Sequence, residues 1–205
     1  MAEIGITLFH TESVTPEIEA IVRQRLPERY EKSMRYLREE PRLQSLAAGA
    51  LLLKRTRIDR ESEYETDAAG KPRIAGERPF SLSHSGTLAG IAIGQNAPVG
   101  LDVELVREHG DYRLRQIFTE EEIAYIGSDP RRFTEIFTLK EALLKANGCG
   151  FRGDAAAFSA LDLKNGGGAW FSGKQYFGMQ FFYEEYSVAV SAEEPVSLVR
   201  IEVAG

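Results

Sequence analysis

Two short segments of this 205-residue chain hold side chains able to do chemistry together. In Gly100-Leu101-Asp102-Val103-Glu104, apolar Val99, Leu101, Val103 and Leu105 alternate with Gly100, Asp102 and Glu104. That period of two predicts a strand. Residues two apart in a strand share a face, so Asp102 and Glu104 stand side by side. Carboxylates that close repel each other, and burying them is costly unless a cation lies between. The second segment, Phe137-Thr138-Leu139-Lys140-Glu141-Ala142-Leu143-Leu144-Lys145, reads as helix and adds Glu141, with Lys145 one turn on. Three carboxylates and a lysine suit a hard divalent ion, most simply Mg²⁺, holding a phosphate-bearing substrate. Each half also has a plain structural reading. The strand could turn one polar side to solvent, and the helix pair could be a solvated i,i+4 ion pair.

On a helical wheel over 129–147, Phe133, Ile136, Phe137, Leu143 and Leu144 form one apolar stripe. Lys140 falls near its middle, with Glu141 and Lys145 on its shoulder. A lysine entering a core is costly unless an anion or carboxylate meets it. Ser83-His84-Ser85-Gly86 follows an apolar strand and opens a turn. Neighbouring strand residues point to opposite faces, which argues against a Ser83–His84 nucleophile pair. A strand-end histidine beside hydroxyls can bond a phosphate, or can simply be a satisfied residue of a capped turn. Arg29, Lys32 and Arg35 share a broad helical face, interleaved with Glu28 and Glu31 as on an ordinary solvated helix.

The elements that must position these groups follow from periodicity and punctuation. Ile4 to Phe9 reads as an opening strand. Pro16 starts a helix, Pro27 a second running to about Glu40, and Pro41 a third. Strands follow over Phe80–Ser83 and Leu88–Ile93, then the Asp102/Glu104 strand. Thr119 with Glu122 is a capping box, and Asp129-Pro130 opens a long helix that Gly148 closes. Further strands are expected near Phe158–Leu163, Tyr176–Tyr183, Ser187–Ala192 and Ser197–Val203, with Asn165–Gly168 a loop tip. Helices followed by antiparallel-looking strands, twice over, predict an α+β fold of two similar lobes, 1–97 and 98–205.

Composition bounds the rest. The chain is 43% hydrophobic and 27% charged, as in ordinary globular proteins. A net charge of −6 argues against general nucleic-acid binding, while the early arginines and lysines suit a small polyphosphate or an acidic protein partner. No apolar run reaches membrane-spanning length, and the N-terminus lacks the basic start of a signal peptide. The single cysteine, Cys149, fits a reducing cytoplasm. His10, His84 and His109 are too scattered for a zinc cluster.

In this order and spacing the segments resemble the 4′-phosphopantetheinyl transferases of the larger, monomeric type. That family pairs a Gly-x-Asp-x-Glu strand with a (Trp/Phe)-(Ser/Thr)-x-Lys-Glu-(Ala/Ser)-x-x-Lys helix roughly forty positions later, and Glu141 lies 39 positions after Asp102. Gly70-Lys71-Pro72, Phe80-Ser81-Leu82-Ser83-His84-Ser85 and Phe118-Thr119 with Glu122 match its remaining motifs in order. The resemblance implies a pseudo-dimeric fold with coenzyme A in the cleft between the lobes. It makes Asp102, Glu104 and Glu141 the Mg²⁺ ligands, and Glu141 and Lys145 the catalytic pair. Arg29, Lys32, Lys71, Ser83, His84, Lys140 and Lys145 become coenzyme contacts. A basic contact of the family aligns with Gln44 rather than Arg42. The implied reaction moves 4′-phosphopantetheine to a serine of an apo acyl or peptidyl carrier protein and releases 3′,5′-ADP. Phe151 and Arg152 are candidates to dock an acidic helix of that carrier. A monomer suffices for this, with neither nucleic acid nor membrane as partner. A Mg²⁺-dependent pyrophosphate hydrolase and a coenzyme-binding module without turnover are the rival readings.

Overall fold

The computed structural model describes residues 1–58, 60, 63–66, 71–108, 114–149 and 154–204. Strand β1 (Ala2–His10) is followed by helices α1 (Pro16–Arg25), α2 (Pro27–Met34) and α3 (Glu39–Arg55). A short ribbon of β2 (Tyr64–Thr66) and β3 (Pro72–Ile74) precedes β4 (Phe80–Ser85), β5 (Leu88–Gly94) and β6 (Val99–Leu105). Helices α4 (Leu114–Ile117), α5 (Glu120–Ile126), α6 (Pro130–Asn147) and α7 (Ala160–Lys164) come next. Strands β7 (Gly168–Phe171), β8 (Lys174–Tyr183), β9 (Tyr186–Ala192) and β10 (Val196–Ala204) complete a mixed α+β fold. No helix among the described residues is long and apolar enough to cross a membrane.

The strands form two four-stranded sheets, ordered β10-β1-β5-β4 and β6-β9-β8-β7. Their facing sides bury Ile4, Ile6, Leu8, Leu101, Val103, Val188 and Val190 in one shared core. On the outer side of the first sheet, Leu46, Leu51 and Leu52 of α3 pack with Val22, Phe80 and Ile91. On the outer side of the second, Ile136, Leu139, Leu143 and Leu144 of α6 pack with Phe158, Tyr176 and Ala189. Alternation explains the assignment. Val99, Leu101 and Val103 face the other sheet, which leaves Gly100, Asp102 and Glu104 on the side toward α6.

Local signals set the long helix. Asp129 accepts hydrogen bonds from the Arg131 and Arg132 amides, Pro130 takes the first turn, and Gly148 ends the helix at φ 86°. Thr119 and Glu122 form the expected reciprocal capping box.

Three expectations are corrected. The second helical stretch ends at Met34 rather than near Glu40, and α3 starts at Glu39. The span Phe158–Leu163 is not a strand, because Ser159 caps α7 through the Leu161 amide. The last strand does not stay with the second half: β10 pairs in parallel with β1 and closes the edge of the first sheet. A cut of the chain at 97/98 therefore leaves the first sheet without one of its strands. The loop tip at Asn165–Gly168 runs directly into β7.

Gly100 is where helix and sheet touch. A β-carbon there would sit 1.9 Å from the Ala142 carbonyl oxygen and 2.5 Å from the Ala146 amide nitrogen. Those are rigid backbone atoms, so α6 would have to be pushed off β6. Gly100→Ala is expected to cost about 3 kcal/mol of stability, read as a lowered urea midpoint. A midpoint equal to wild type would show that α6 does not rest on this backbone.

Candidate active site

Strands β4 and β6 are the neighbouring edges of the two sheets, and no backbone ladder joins them. Serines spaced two apart on β4 supply the missing acceptors. Ser81, Ser83 and Ser85 accept from the amides of Leu101, Val103 and Leu105 at 3.0, 3.2 and 3.2 Å. Two of these hydroxyls also donate, Ser83 to Asp102 Oδ1 at 3.0 Å and Ser85 to Glu104 Oε2 at 2.7 Å. The seam thus fixes both carboxylates where the two halves of the chain meet.

Helix α6 brings the remaining groups. Phe137, Glu141 and Lys145 are four residues apart, so they form one stripe along its surface. All three line a cavity of about 330 Å³ together with Asp102, Glu104, Ser83, His84, Arg29 and Tyr64. Lys145 Nζ lies 2.6 Å from Asp102 Oδ1 and 3.0 Å from Ser83 Oγ. Asp102 and Glu141 are both buried, at 3% and 5% exposure.

The electrostatics follow from crowding. Burial pushes the Glu141 carboxyl up to about 7, and the Asp102 and Glu104 charges push in the same direction against Lys145. Glu104 is raised by burial and by Asp102. His84, whose ring opens into the cavity, is lowered by lost hydration and then by Lys145. Its side chain points away from those of Ser83 and Ser85, as the strand requires.

Among the described residues, no group of three His, Cys, Asp or Glu side chains is arranged to hold a metal ion. The donor set nonetheless fits a hard cation. Asp102 Oδ2 is buried without a hydrogen-bond partner, and burial with neighbouring carboxylates raises the proton affinity of Glu104 and Glu141. In this arrangement the Lys145 ammonium supplies the positive charge.

The other candidates separate by position. Arg29 lines the cavity, its guanidinium over the Tyr64 ring at 5.4 Å and its Nε buried with no partner. Lys71 lines an adjoining cavity of about 400 Å³ that shares Pro72 with the first, and donates to the Ala146 carbonyl. Lys32 is exposed on α2 and does not line the cavity. Gln44 bonds the Gly86 carbonyl and Arg42 pairs with Glu19. Gly70, His109, Phe151 and Arg152 lie outside the described residues.

Lys140 stands apart from these groups. It is wholly buried, 2.8 Å from the equally buried Glu122, and donates to the carbonyls of Ala155 and Phe158. It ties α6 to α5 and to the segment before α7. Its ammonium is spent there and does not line the cavity. The carboxylate that burial demanded is the second member of the capping box. The serine ladder is what sequence reasoning missed, although Ser81, Ser83 and Ser85 repeat with the period of a strand face.

Comparison with known proteins bears on the same region. Residues 98–194 match the family model of the 4′-phosphopantetheinyl transferase superfamily. Over 117 residues the chain is 31% identical to the 4′-phosphopantetheinyl transferase AcpT of Escherichia coli K12, covering 53% of this chain and 60% of that protein. Its likeness to AcpT of Salmonella typhi is 32% over 113 residues, covering 51% and 58%. The 4′-phosphopantetheinyl transferase gsp of Aneurinibacillus migulanus is 34% identical over 96 residues, 44% of this chain and 38% of that protein. The chain thus spans less than two thirds of the length of these curated relatives.

The raised Glu141 carboxyl has a consequence for stability. The unfolded chain releases this proton near the ordinary value of 4.5, whereas the folded chain holds it to about 7. The native state is therefore the more protonated one between those values, and stability falls as pH rises through that window. The loss is on the order of 3 kcal/mol for metal-free protein. Glu141→Gln is expected to remove this slope, so that it exceeds wild type in stability at pH 8 with chelator present and differs little at pH 5. Urea denaturation at both pH values checks this, and parallel profiles for the two proteins would refute it.

Proposed function

We propose that this chain, whose residues 98–194 match the family model of the 4′-phosphopantetheinyl transferase superfamily, transfers 4′-phosphopantetheine from coenzyme A to a serine hydroxyl of an apo carrier protein. The observation that carries the reading is the cavity in which Asp102, Glu104, Glu141 and Lys145 meet Ser83, His84 and Arg29. Acidic groups and cations converge there from both halves of the chain. Such a mixed wall suits a diphosphate that arrives with a divalent ion.

The two halves act as two similar α+β lobes with coenzyme A between them. Asp102, Glu104 and Glu141 would hold Mg²⁺, whose bound charge offsets the negative charge that builds on the diphosphate oxygens during transfer. His84, Arg29 and Lys71 take the phosphates of the adenosine end, with Lys32 at the outer rim. Lys145 takes the diphosphate. The carrier serine Oγ attacks the β-phosphorus of coenzyme A. One phosphorus–oxygen bond forms to the serine as another breaks to 3′,5′-ADP. The serine proton passes to the Glu141 carboxylate, directly or through water, and burial that raises its proton affinity fits it to that task. Lys145 meets the charge of the departing ADP. Phe151 and Arg152 remain the candidates for docking the carrier, and the reading takes the protein as a cytoplasmic monomer.

The test is a carrier-modification assay with Mg²⁺, coenzyme A and several apo carrier proteins, read by intact mass. A gain of one phosphopantetheine on the carrier is expected. Asp102→Ala should lower the rate by about two orders of magnitude with the fold retained. Free phosphopantetheine without carrier modification would mean hydrolysis instead, and coenzyme binding with neither product would mean a binding module.

A further inference from the structure

Lys145 holds the place that a metal on Asp102 needs cleared. Its Nζ is 2.6 Å from Asp102 Oδ1 and 3.0 Å from Ser83 Oγ. A divalent ion and an ammonium on one carboxylate would repel across a few ångströms. The partner atom Asp102 Oδ2 is buried with nothing bonded to it. The carboxylate therefore has a free oxygen, while the lysine occupies the other.

Among the described residues, Lys145 is held there by Asp102 and Ser83. The Ser83 hydroxyl is already engaged by the Val103 amide and by Asp102. The β4–β6 seam is closed on either side by Ser81–Leu101 and Ser85–Leu105. The lysine side chain is 29% exposed against 4% for Asp102, and its flexible stem opens into the cavity. The buried Lys140 offers a contrast, with a carboxylate and two carbonyls around it and no exposed surface. One lysine is built in and the next is loosely moored.

We propose that Lys145 is an exchangeable counter-ion. It neutralises Asp102 in the metal-free protein, leaves when a divalent cation takes that carboxylate, and is thereby delivered to the diphosphate. This rests on the transferase reading above and adds a coupling to it. Metal and coenzyme each favour the displaced lysine, so each raises the protein's affinity for the other. The device also keeps the acidic site from standing uncompensated between turnovers.

Mn²⁺ titration followed by electron paramagnetic resonance, with and without coenzyme A, tests the exchange. Lys145→Met is expected to bind Mn²⁺ alone about tenfold more tightly than wild type. Coenzyme A should then improve its metal affinity by a smaller factor than it does for wild type. A second measurement uses the unmodified protein, so it does not depend on how the variant folds. Reductive methylation of Lys145, read by peptide mass spectrometry, should speed up several-fold when Mg²⁺ is added without coenzyme A. It should slow again when coenzyme A follows. Lys145→Met titrating like wild type, or methylation unmoved by Mg²⁺, would overturn the exchange. If carrier modification is intact in that case, the transferase reading survives and only the exchange is lost. If neither carrier modification nor coenzyme binding is seen, the reading itself fails, whatever the metal titration gives.

Discussion

The site depends on a seam between two sheet edges that cannot pair through their backbones. Strand β6 bonds β9 along one edge, and its other edge leaves the amides of Leu101, Val103 and Leu105 in need of acceptors inside the protein. Serine hydroxyls from β4 supply them. A hydroxyl that accepts from an amide is turned so that its own proton needs an acceptor as well. For Ser83 and Ser85 that acceptor is a carboxylate of β6. The two acidic groups are thus the far end of a hydrogen-bond chain that fastens one half of the molecule to the other.

The same seam explains why α6 must be so close. Gly100 has no side chain, and Ala142 and Ala146 are the smallest residues a helix can present without losing propensity. Their contact sets α6 directly over β6, on the side where Asp102 and Glu104 project. Any larger residue at these three positions would carry Glu141 and Lys145 outward. A separation of a few ångströms decides whether four charges act as one site, because Coulomb energy falls with distance and with the solvent that enters between the charges. Outside the cavity lining, Lys140 and Glu122 fix the rotation of the same helix. The buried pair contributes specificity of orientation rather than net stability, since desolvating both charges offsets most of their attraction.

Much of this was legible in the residues, and the limits have physical causes. Alternation from Val99 to Leu105 gave the strand and the shared face of Asp102 and Glu104, because side-chain period is a local property. The caps Thr119, Asp129 and Gly148 were equally local, and they stand where the sequence put them. Phe158–Leu163 misled because a five-residue helix with a serine cap is too short for its period to differ from that of a strand. The pairing of β10 with β1 joins residues nearly two hundred positions apart, and no local pattern encodes which edge a last strand will choose. Lys140 shows the middle case. Its place in an apolar stripe demanded a buried partner, but the demand alone did not say that Glu122, already busy as a helix cap, would meet it.

The Asp102 environment finally shows how stability and chemistry oppose each other in one place. Packing three carboxylates at the end of a hydrogen-bonded seam raises the folded chain's affinity for protons and cations, and part of the hydrophobic stabilisation from the cores on either side is spent against that repulsion. Lys145, whose side chain is partly exposed, relieves it, and on the proposed exchange gives way to another cation. Arg29 and His84 line the same cavity as these carboxylates. A ligand that is anionic along its length and carries its own cation satisfies both kinds of group at once. A simple anion would satisfy only Arg29 and Lys145, and a bare cation only the carboxylates. On the proposed reading, the mixed polarity of the cavity favours such a pair over either ion alone.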